Sequence, residues 1–453
     1  MILLLIKNAR IMTFDDENTF IEEGYIKIKD GIISEIGEST VLKDGNSKFM
    51  DSERYLKGEK VIDAKGKLIM PGFICTHTHI YSAFARGMDL KGGSTADFLE
   101  ILENLWWRLD KKLTHEDIYY SALVILIESI KNGVTCLFDH HAGPNSVEGS
   151  LDIIEKAFRE LGVRGALCYE VSDRDGEDIA LKGIEENIRF INKCHGNKDD
   201  MIKGLFGLHA SFTLSDKTLK EASSRGNAAG AGFHIHVAEG PQDLEYNKKH
   251  FNKGVVERLE EFSIINERSI LAHCIHVSSS EKDLLRKGIV VHNPESNMNN
   301  AVGYCDAADL TNRGVLVGLG SDGFSANPFR AMDACYVLHK HEKENPNAMT
   351  PKDVIQMAIK NNGSIASRYF KEPIGVIKKG AKADIIFLDY NSPTPINKDN
   401  LEGHIIFGMN SNLITHSIID GKLVMKDRRI VNIEELEIYK ASRKLAKSLW
   451  DRF

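Results

Sequence analysis

The sequence predicts a protein of the α/β class, in which a (β/α)8 TIM barrel carries a small β-sandwich domain formed by both chain ends. Its 453 residues suit a large barrel with an accessory module. In the middle of the chain, apolar β-rich runs alternate with longer segments of helical spacing. Eight such runs occur, at 71–75, 134–138, 164–169, 202–208, 232–237, 268–273, 289–292 and 315–320. An open doubly wound sheet is the alternative, but the count of eight favours the barrel.

The two ends of the chain carry short strands separated by tight turns. Tyr25-Ile26-Lys27-Ile28 precedes an Asp30-Gly31 turn, and Asp420-Gly421 divides a predicted hairpin. We therefore expect the chain to leave a small β module, build the barrel, and return to the module. The predicted domains are 1–66 and 374–430 for the β-sandwich, 67–373 for the barrel, and 431–453 for a charged helical tail.

Composition argues against several classes of function. Basic residues number 58 and acidic residues 65, a formal charge of -7, which leaves no electrostatic footprint for nucleic acid. No apolar run approaches ~18 residues, so no membrane-spanning helix is predicted. The seven cysteines are scattered without C-x-x-C spacing, which indicates buried reduced thiols and favours a cytoplasmic protein. A homodimer is the default expectation for its assembly.

Histidines and acidic residues stand at the predicted strand ends, on the rim where TIM barrels place their chemistry. His77 and His79 follow the first strand, His236 ends the fifth, and Asp322 follows the eighth. Residues at i and i+2 of an extended chain share a face, so the imidazoles of His77 and His79 can both point into the barrel mouth. These four residues could hold one divalent cation and leave an open position for water.

Two further side chains on this rim suit proton transfer. Glu239 lies three residues past His236, where a carboxylate can carry a proton between water and a substrate nitrogen. His273 closes the sixth strand and can orient the attacking water, while Asp322 can take a proton from it. His234 has the same parity as His236 and competes for the ligand role, but it lies deeper in the strand and ranks second.

The remaining polar strand ends predict a substrate pocket rich in imidazole. They are His140, His141, Glu170, His209 and His292. This set suits a small polar heterocycle that donates and accepts hydrogen bonds. Imidazole and carboxylate ligands suit Zn²⁺, with Fe²⁺ as the alternative cation. The pair Trp106-Trp107 either lines this pocket or packs within a helix.

These motifs, in this order, resemble the amidohydrolase superfamily in its cytosine deaminase and chlorohydrolase-like branch, over nearly the whole chain. The motifs are Pro71-Gly72-Phe73-Ile74-Cys75-Thr76-His77-Thr78-His79, His236-Val237-Ala238-Glu239, Leu271-Ala272-His273-Cys274, His292-Asn293-Pro294-Glu295-Ser296-Asn297 and Gly320-Ser321-Asp322-Gly323. Segments such as Phe138-Asp139-His140-His141-Ala142 are similar to the SsnA group of aminohydrolases, which is associated with selenium metabolism. The resemblance implies His77, His79, His236 and Asp322 as metal ligands, Glu239 and His273 as catalytic partners, and His209 as a substrate contact.

Binuclear members of this superfamily carry a bridging carboxylated lysine at the end of the fourth strand. Here that strand ends in Gly207-Leu208-His209, and its lysine, Lys203, lies near the start, so we expect one metal ion. The run 318–323 also matches the glycine pattern of dinucleotide-binding loops, but a second strand with a terminal acid does not follow it. Its glycines are expected instead to bend the backbone so that Asp322 reaches the metal.

The rim residues and the resemblance predict hydrolytic deamination of a small, nitrogen-rich ring. Metal-activated water attacks an amidine carbon, Glu239 protonates a ring nitrogen, and ammonia leaves. Two alternatives stay open. The same centre could open a cyclic amide such as an imidazolone or hydantoin. The SsnA resemblance also suggests a non-catalytic accessory role in selenium metabolism, against which the complete set of site residues argues.

Overall fold

The structure, a computed structural model, describes residues 3–39, 59–90, 92, 95–324 and 326–453. Eight strand positions form a parallel barrel, which confirms the predicted fold class. They are Phe73–Thr78, Val134–His141, Arg164–Tyr169, Ile202–Gly204 with Phe206–Ala210, Phe233–Val237, Ile270–His273, Ile289–His292 and Leu316–Leu319. Leu205 divides the fourth position into two short strands.

Two single bridges close the barrel. A four-stranded sheet holds the first three positions and the first half of the fourth, and a five-stranded sheet holds the rest. Val171 pairs with Leu208 at one junction, and Thr78 pairs with Asp322 at the other. The second junction sets the end of the first strand against the end of the eighth, which brings His77 and His79 beside Asp322.

Within the part of the chain that the structure describes, both chain ends build one nine-stranded mixed sheet, called here the end sheet. Its strands are Leu3–Met12, Phe20–Lys29, Ile32–Glu38, Glu59–Asp63, Leu68–Pro71, Ile385–Leu388, Ile414–Ile419, Lys422–Lys426 and Arg429–Ile430. Leu68–Pro71 pairs with Leu3–Met12 and with Ile385–Leu388, so it belongs to the end sheet although it lies past the expected boundary at residue 66. Gly72 follows it, where a Cβ would lie 2.2 Å from Thr135 Cγ2, so only glycine fits between sheet and barrel.

A buried ion pair joins the barrel to the end sheet. Arg164, at the start of the third barrel strand, donates from Nε to Asp384 Oδ2 at 2.8 Å and from Nη2 to Asp384 Oδ1 at 3.2 Å. The two side chains are 0% and 2% exposed. Asp384 immediately precedes the strand Ile385–Leu388, so this fork-like contact fixes the two units against each other.

Helices return the chain between the barrel strands. The α-helices are Phe98–Ile101, Trp107–Leu109, His115–Lys131, Ser150–Leu161, Glu177–Gly196, Asp216–Ala228, Pro241–Phe251, Val255–Glu261, Ser279–Leu284, Pro294–Asn299, Ala307–Asn312, Pro328–Glu342, Pro351–Ile355, Asn362–Ala366, Leu401–Gly408 and Glu435–Arg452. Short 3-10 or π segments are Ile80–Ala85, Leu102–Trp106, Asp110–Lys112, Ser211–Thr213, Leu285–Lys287, Gln356–Asn361 and Ser411–Leu413. Within the described ranges, none of the helices is long and apolar enough to cross a membrane. All seven cysteines are buried and unpaired, as expected.

The last helix, Glu435–Arg452, holds a segment that lines the barrel mouth. Trp450 Nε1–H donates to the Phe84 carbonyl oxygen at 2.7 Å, and Arg452 Nη2 donates to Asp117 Oδ2 at 2.6 Å. Phe84 lies in Ile80–Ala85, which directly follows His79, and Asp117 also closes the capping box that starts the helix His115–Lys131. The predicted helical tail therefore ends against the rim of the site.

Candidate active site

The predicted metal ligands converge at the C-terminal mouth of the barrel. His77 lies within Phe73–Thr78 and His79 follows it; His236 lies within Phe233–Val237; and Asp322 follows Leu316–Leu319. All four residues are buried, with exposed fractions between 0% and 8%. Alternation within the first strand puts both of its histidines on the inward face, as the i, i+2 spacing predicts.

The hydrogen bonds of His79 and His236 leave two bare nitrogens facing each other. His79 Nδ1 donates to the His140 carbonyl oxygen at 2.7 Å, and His236 Nδ1 donates to the His209 carbonyl oxygen at 2.8 Å. In the neutral rings, both Nε2 atoms therefore carry lone pairs, yet they lie only 3.0 Å apart. Such a contact is repulsive unless a proton or a metal cation lies against the nitrogens, so this pair suits a metal ion.

His77 and Asp322 complete the set of ligand atoms. Asp322 Oδ1 lies 3.0 Å from His79 Nε2 and 3.4 Å from His77 Nε2. His77 Nε2 is buried and has no hydrogen-bond partner among the described residues. His77 Nδ1 lies 2.7 Å from His234 Nε2, so His234 supports His77 from behind and does not reach the cation itself. Three imidazole nitrogens and one carboxylate fit Zn²⁺ or Fe²⁺.

The ionisation of these groups also suits a cation. Burial lowers the pKa of His77 to about 3 and that of His236 well below its usual range, so both rings are neutral. Burial opposes protonation of His79 as well, but Asp322 raises the pKa of His79 to about 9. The pKa of Asp322 is well below its usual range, because its close contacts with the His77 and His79 rings outweigh its burial. A bound cation would displace the proton that His79 shares with Asp322.

A second group of possible ligands lies beside the first but does not make a separate site. His79, His140, Glu170 and His236 present atoms within 4.8 Å of one another. In His79 and His236 only Nε2 is left without a carbonyl partner, and both Nε2 atoms face the proposed metal position beside Asp322. Only His140 Nδ1 and Glu170 remain as ligands for a second ion. A metal site in a protein needs at least three.

Glu239 and His273 face the ligand cluster from the fifth and sixth strands. Glu239 Oε2 lies 3.4 Å from His273 Nε2, which is itself 3.9 Å from Asp322 Oδ2. Burial raises the pKa of Glu239 to about 7. A carboxyl with that pKa exchanges its proton readily near neutral pH, as a proton carrier must.

The helix Pro294–Asn299 organises these catalytic groups, a role that the sequence did not reveal. Ser296 Oγ donates to Asp322 Oδ2. Asn297 Oδ1 accepts from His273 Nδ1 at 2.8 Å, and Asn300, just past the helix, donates to Glu239 Oε1 at 3.3 Å. The only sequence signal was the run His292–Asn297 within the family motifs, with no indication of which partner each side chain contacts.

The backbone is bent at the residues that do the chemistry. His273 has φ 74° and Asp322 has φ 55°, both in the left-handed region that non-glycine residues seldom adopt. The expectation that the glycines of 318–323 supply the bend is wrong, because Asp322 takes the left-handed conformation itself. Gly320 serves close packing instead: a Cβ there would lie 2.4 Å from Asn293 Oδ1.

A cavity of about 520 Å³ opens beside the ligand cluster. Of the predicted substrate residues, Glu170 and His209 line it, whereas His140, His141 and His292 are fully buried and lie outside its lining. Burial lowers the pKa of His209 to about 4, so its ring is neutral. The rest of the lining mixes polar and apolar side chains, and it includes both tryptophans whose role the sequence left open. Its aromatic lining is Tyr81, Phe98, Trp106, Trp107, Phe212 and Phe324.

Glu170 is a buried carboxylate in the wall of this cavity. Its Oε2 lies 3.3 Å from His140 Nδ1 and its Oε1 lies 3.6 Å from Arg174 Nη2. Burial alone would raise its pKa, but its neighbours His209, His140 and Arg174 hold the pKa of Glu170 well below its usual range. Glu170 therefore stays ionised at every pH at which the protein would work.

The chain is similar over nearly its whole length to known proteins. Residues 68–424 match the model of the amidohydrolase family. The chain is 31% identical over 98% of both chains to the 5'-deoxyadenosine deaminase of Methanosarcina mazei. It is 30% identical to the 5-methylthioadenosine/S-adenosylhomocysteine deaminase of Syntrophomonas wolfei, over 98% of this chain and 99% of the relative. A zinc-bound adenosine deaminase from Xanthomonas campestris has the same fold, with a TM-score of 0.83 over 98% of both chains at 19% identity.

Proposed function

The chain belongs to the amidohydrolase family and is a metal-dependent aminohydrolase, and we propose that His77, His79, His236 and Asp322 hold its single metal ion. The observation that carries this proposal is the 3.0 Å contact between two bare imidazole nitrogens, with Asp322 beside them. Zn²⁺ suits this mixed nitrogen and oxygen set, and Fe²⁺ is the alternative. We also propose that the protein forms a homodimer.

The reaction that these residues support is hydrolytic deamination. A cation held by the four ligands would lower the pKa of water for attack near neutral pH. Asp322, ionised and bonded to Ser296, accepts a proton from the attacking water, and His273 is oriented by Asn297 so that Nε2 faces the same point. Glu239 delivers a proton to the ring nitrogen next to the attacked carbon. A C–O bond forms, Glu239 then takes up the hydroxyl proton, and Asp322 passes its proton to the amino group. The exocyclic C–N bond breaks, ammonia leaves, and a ring carbonyl replaces the amino group.

The relatives favour deamination over ring opening, since those described above are named as deaminases of adenine nucleosides. Their named substrates, 5'-deoxyadenosine and 5-methylthioadenosine, are therefore the first compounds to screen. The SsnA resemblance suggested a non-catalytic role, and that role stays a prediction. The complete set of site residues argues against it.

The test measures ammonia release by the metal-loaded protein across purine, pyrimidine and triazine amines. The variant Glu239→Gln should lose at least ~100-fold in kcat while keeping its metal, because proton transfer contributes about that much. Glu177→Gln, at an exposed helix start, is the matched control. Mass spectrometry separates loss of NH₃ from ring opening, which retains it. Full activity in Glu239→Gln would contradict the proposed role.

A further inference from the structure

The side chain of Asn362 lies between the first and eighth barrel strands, deeper in the barrel than the proposed metal ligands. Asn362 follows the π segment Gln356–Asn361 and is 2% exposed. At the mouth, the backbones of the two strands bond to each other directly. The His77 carbonyl oxygen accepts from Asp322 N–H at 3.0 Å, and His79 N–H donates to the Asp322 carbonyl oxygen at 3.1 Å. Below these bonds, the Asn362 amide separates the strands and joins them.

This amide bonds to both strands as a backbone amide would. Nδ2 of Asn362 donates to the Ile74 carbonyl oxygen at 2.7 Å and to the Leu319 carbonyl oxygen at 2.9 Å. Oδ1 accepts from Leu319 N–H at 3.0 Å. Carbonyl oxygens only accept and backbone N–H groups only donate, so these partners also fix which atom of the amide is the nitrogen. One side chain therefore replaces the pairing of the first strand with the eighth at this depth.

The residues around Asn362 leave room for this insertion. A Cβ on Gly318 would lie 2.4 Å from Asn362 Oδ1, so a larger residue there would push the amide away from the eighth strand. The preceding residue, Asn361, donates from Nδ2 to the Val317 carbonyl oxygen at 2.7 Å. Two consecutive asparagines thus hold the edge of the eighth strand.

The contacts of Asn362 lie at matching positions below two of the proposed ligands. Ile74 precedes His77 by three residues, and Leu319 precedes Asp322 by three. The two ligand atoms, His77 Nε2 and Asp322 Oδ1, are 3.4 Å apart. A cation must lie at ~2.0–2.2 Å from such atoms, and a site works only if they are held within about 0.5 Å of that geometry. The separation of the strands at Asn362 therefore bears on whether both atoms reach one ion.

A second buried asparagine joins the strands at the other junction of the barrel. Asn187, in the helix Glu177–Gly196, is 0% exposed. Its Nδ2 donates to the carbonyl oxygens of Tyr169 at 2.8 Å and Gly207 at 3.3 Å, and its Oδ1 accepts from Tyr169 N–H at 2.8 Å. It thus links the third strand to the fourth, and neither strand carries one of the four proposed ligands. Asn187 is therefore a matched control for Asn362.

We propose that Asn362 is a positioning residue of the metal centre. By joining the first strand to the eighth, it fixes the distance between His77 and Asp322 and so sets the affinity of the site for its cation. This inference rests on the ligand set proposed above. Asn362 is absent from the described residues that line the cavity, so a change there acts on the cation through the strands.

The test compares Asn362→Asp with Asn187→Asp. Each substitution keeps the size of the side chain but sets a carboxylate oxygen against carbonyl oxygens, so both variants lose hydrogen bonds of the same kind. The Kd for Zn²⁺ is measured by competition with a chromophoric chelator, and the Tm of the metal-free protein by calorimetry. We expect Asn362→Asp to raise the Kd at least ~10-fold, as the loss of contacts that support a ligand does. Asn187→Asp should raise it far less for a similar fall in Tm.

The comparison of the two positions separates positioning from stability. Equal rises in Kd for both variants, or an unchanged Kd in a folded Asn362→Asp, would overturn the inference. If either aspartate variant fails to fold, Asn362→Ser and Asn187→Ser take their place, because serine keeps one hydrogen-bonding group at each junction.

A structural readout distinguishes this inference from the proposed ligand set. If the wild type itself binds no Zn²⁺, the ligand set fails, and crystal structures of the wild type and the Asn362 variant decide the positioning role. A wider gap between His77 Nε2 and Asp322 Oδ1 in the variant would support that role. An unchanged gap would overturn it.

Discussion

Removing Arg164 should destabilise the protein far more than removing an arginine at the surface. In Arg164→Ala, Asp384 would remain buried without the guanidinium that contacts it at 2.8 and 3.2 Å. An uncompensated buried charge of this kind costs about 3–5 kcal/mol. For a chain of 453 residues that unfolds as one unit, this loss corresponds to a fall in Tm of ~3–5 °C.

Urea and thermal unfolding of Arg164→Ala would measure this loss against Arg225→Ala. Arg225 forms an exposed pair with Glu221 at 3.8 Å, and such pairs contribute at most ~1 kcal/mol. The double variant Arg164→Met with Asp384→Leu should recover most of the stability, because apolar replacement of both partners is often neutral. Equal losses in the two single variants, or no recovery in the double variant, would refute the assignment of this pair as the link between barrel and end sheet.

Three further outcomes follow from the site. Removing the metal with a chelator should lower Tm, and adding Zn²⁺ should restore it, because the folded site binds the cation and the unfolded chain does not; an unchanged calorimetric Tm would contradict the site. Asn297→Leu should lower kcat about 10-fold with metal content unchanged, because His273 loses the bond that orients it. The lowered pKa of Glu170 contributes stability that is fully present above its unfolded pKa of about 4.3 and is lost as the pH falls toward the lower folded pKa. Urea midpoints below about pH 5 should therefore drop more steeply in the wild type than in Glu170→Gln.

Much of the architecture could be predicted because its signals are local. Each barrel strand is a short apolar run, and the polar residue that ends it lies on the rim whatever the rest of the chain does. His77, His79, His236 and Asp322 could therefore be grouped without coordinates. Their arrangement then required only that the eighth strand close against the first, as the bridge between Thr78 and Asp322 shows.

The features that escaped prediction depend on packing between distant segments. His140 and Glu170 both end strands, yet only Glu170 lines the cavity, because the His140 ring turns its Nε2 toward the carbonyl oxygens of Leu208 and His234. The partners of Ser296 and Asn297 depend on the position of a one-and-a-half-turn helix, which apolar periodicity does not report. The residue type of Asp322 does not predict its left-handed conformation, since aspartate only tolerates that region better than most residues do.

The end sheet has a consequence for how the chain acquires its structure during synthesis. Ile69 pairs with Phe387, and Trp450 donates a hydrogen bond to the segment after His79. Two segments near the start of the chain therefore need partners that are synthesised late. A ribosome would have released most of the barrel before either partner emerged. Contacts between such distant residues slow folding, because a long loop must close before they form. We expect the rim around His79 to be the last region to become protected in pulse-labelled hydrogen exchange.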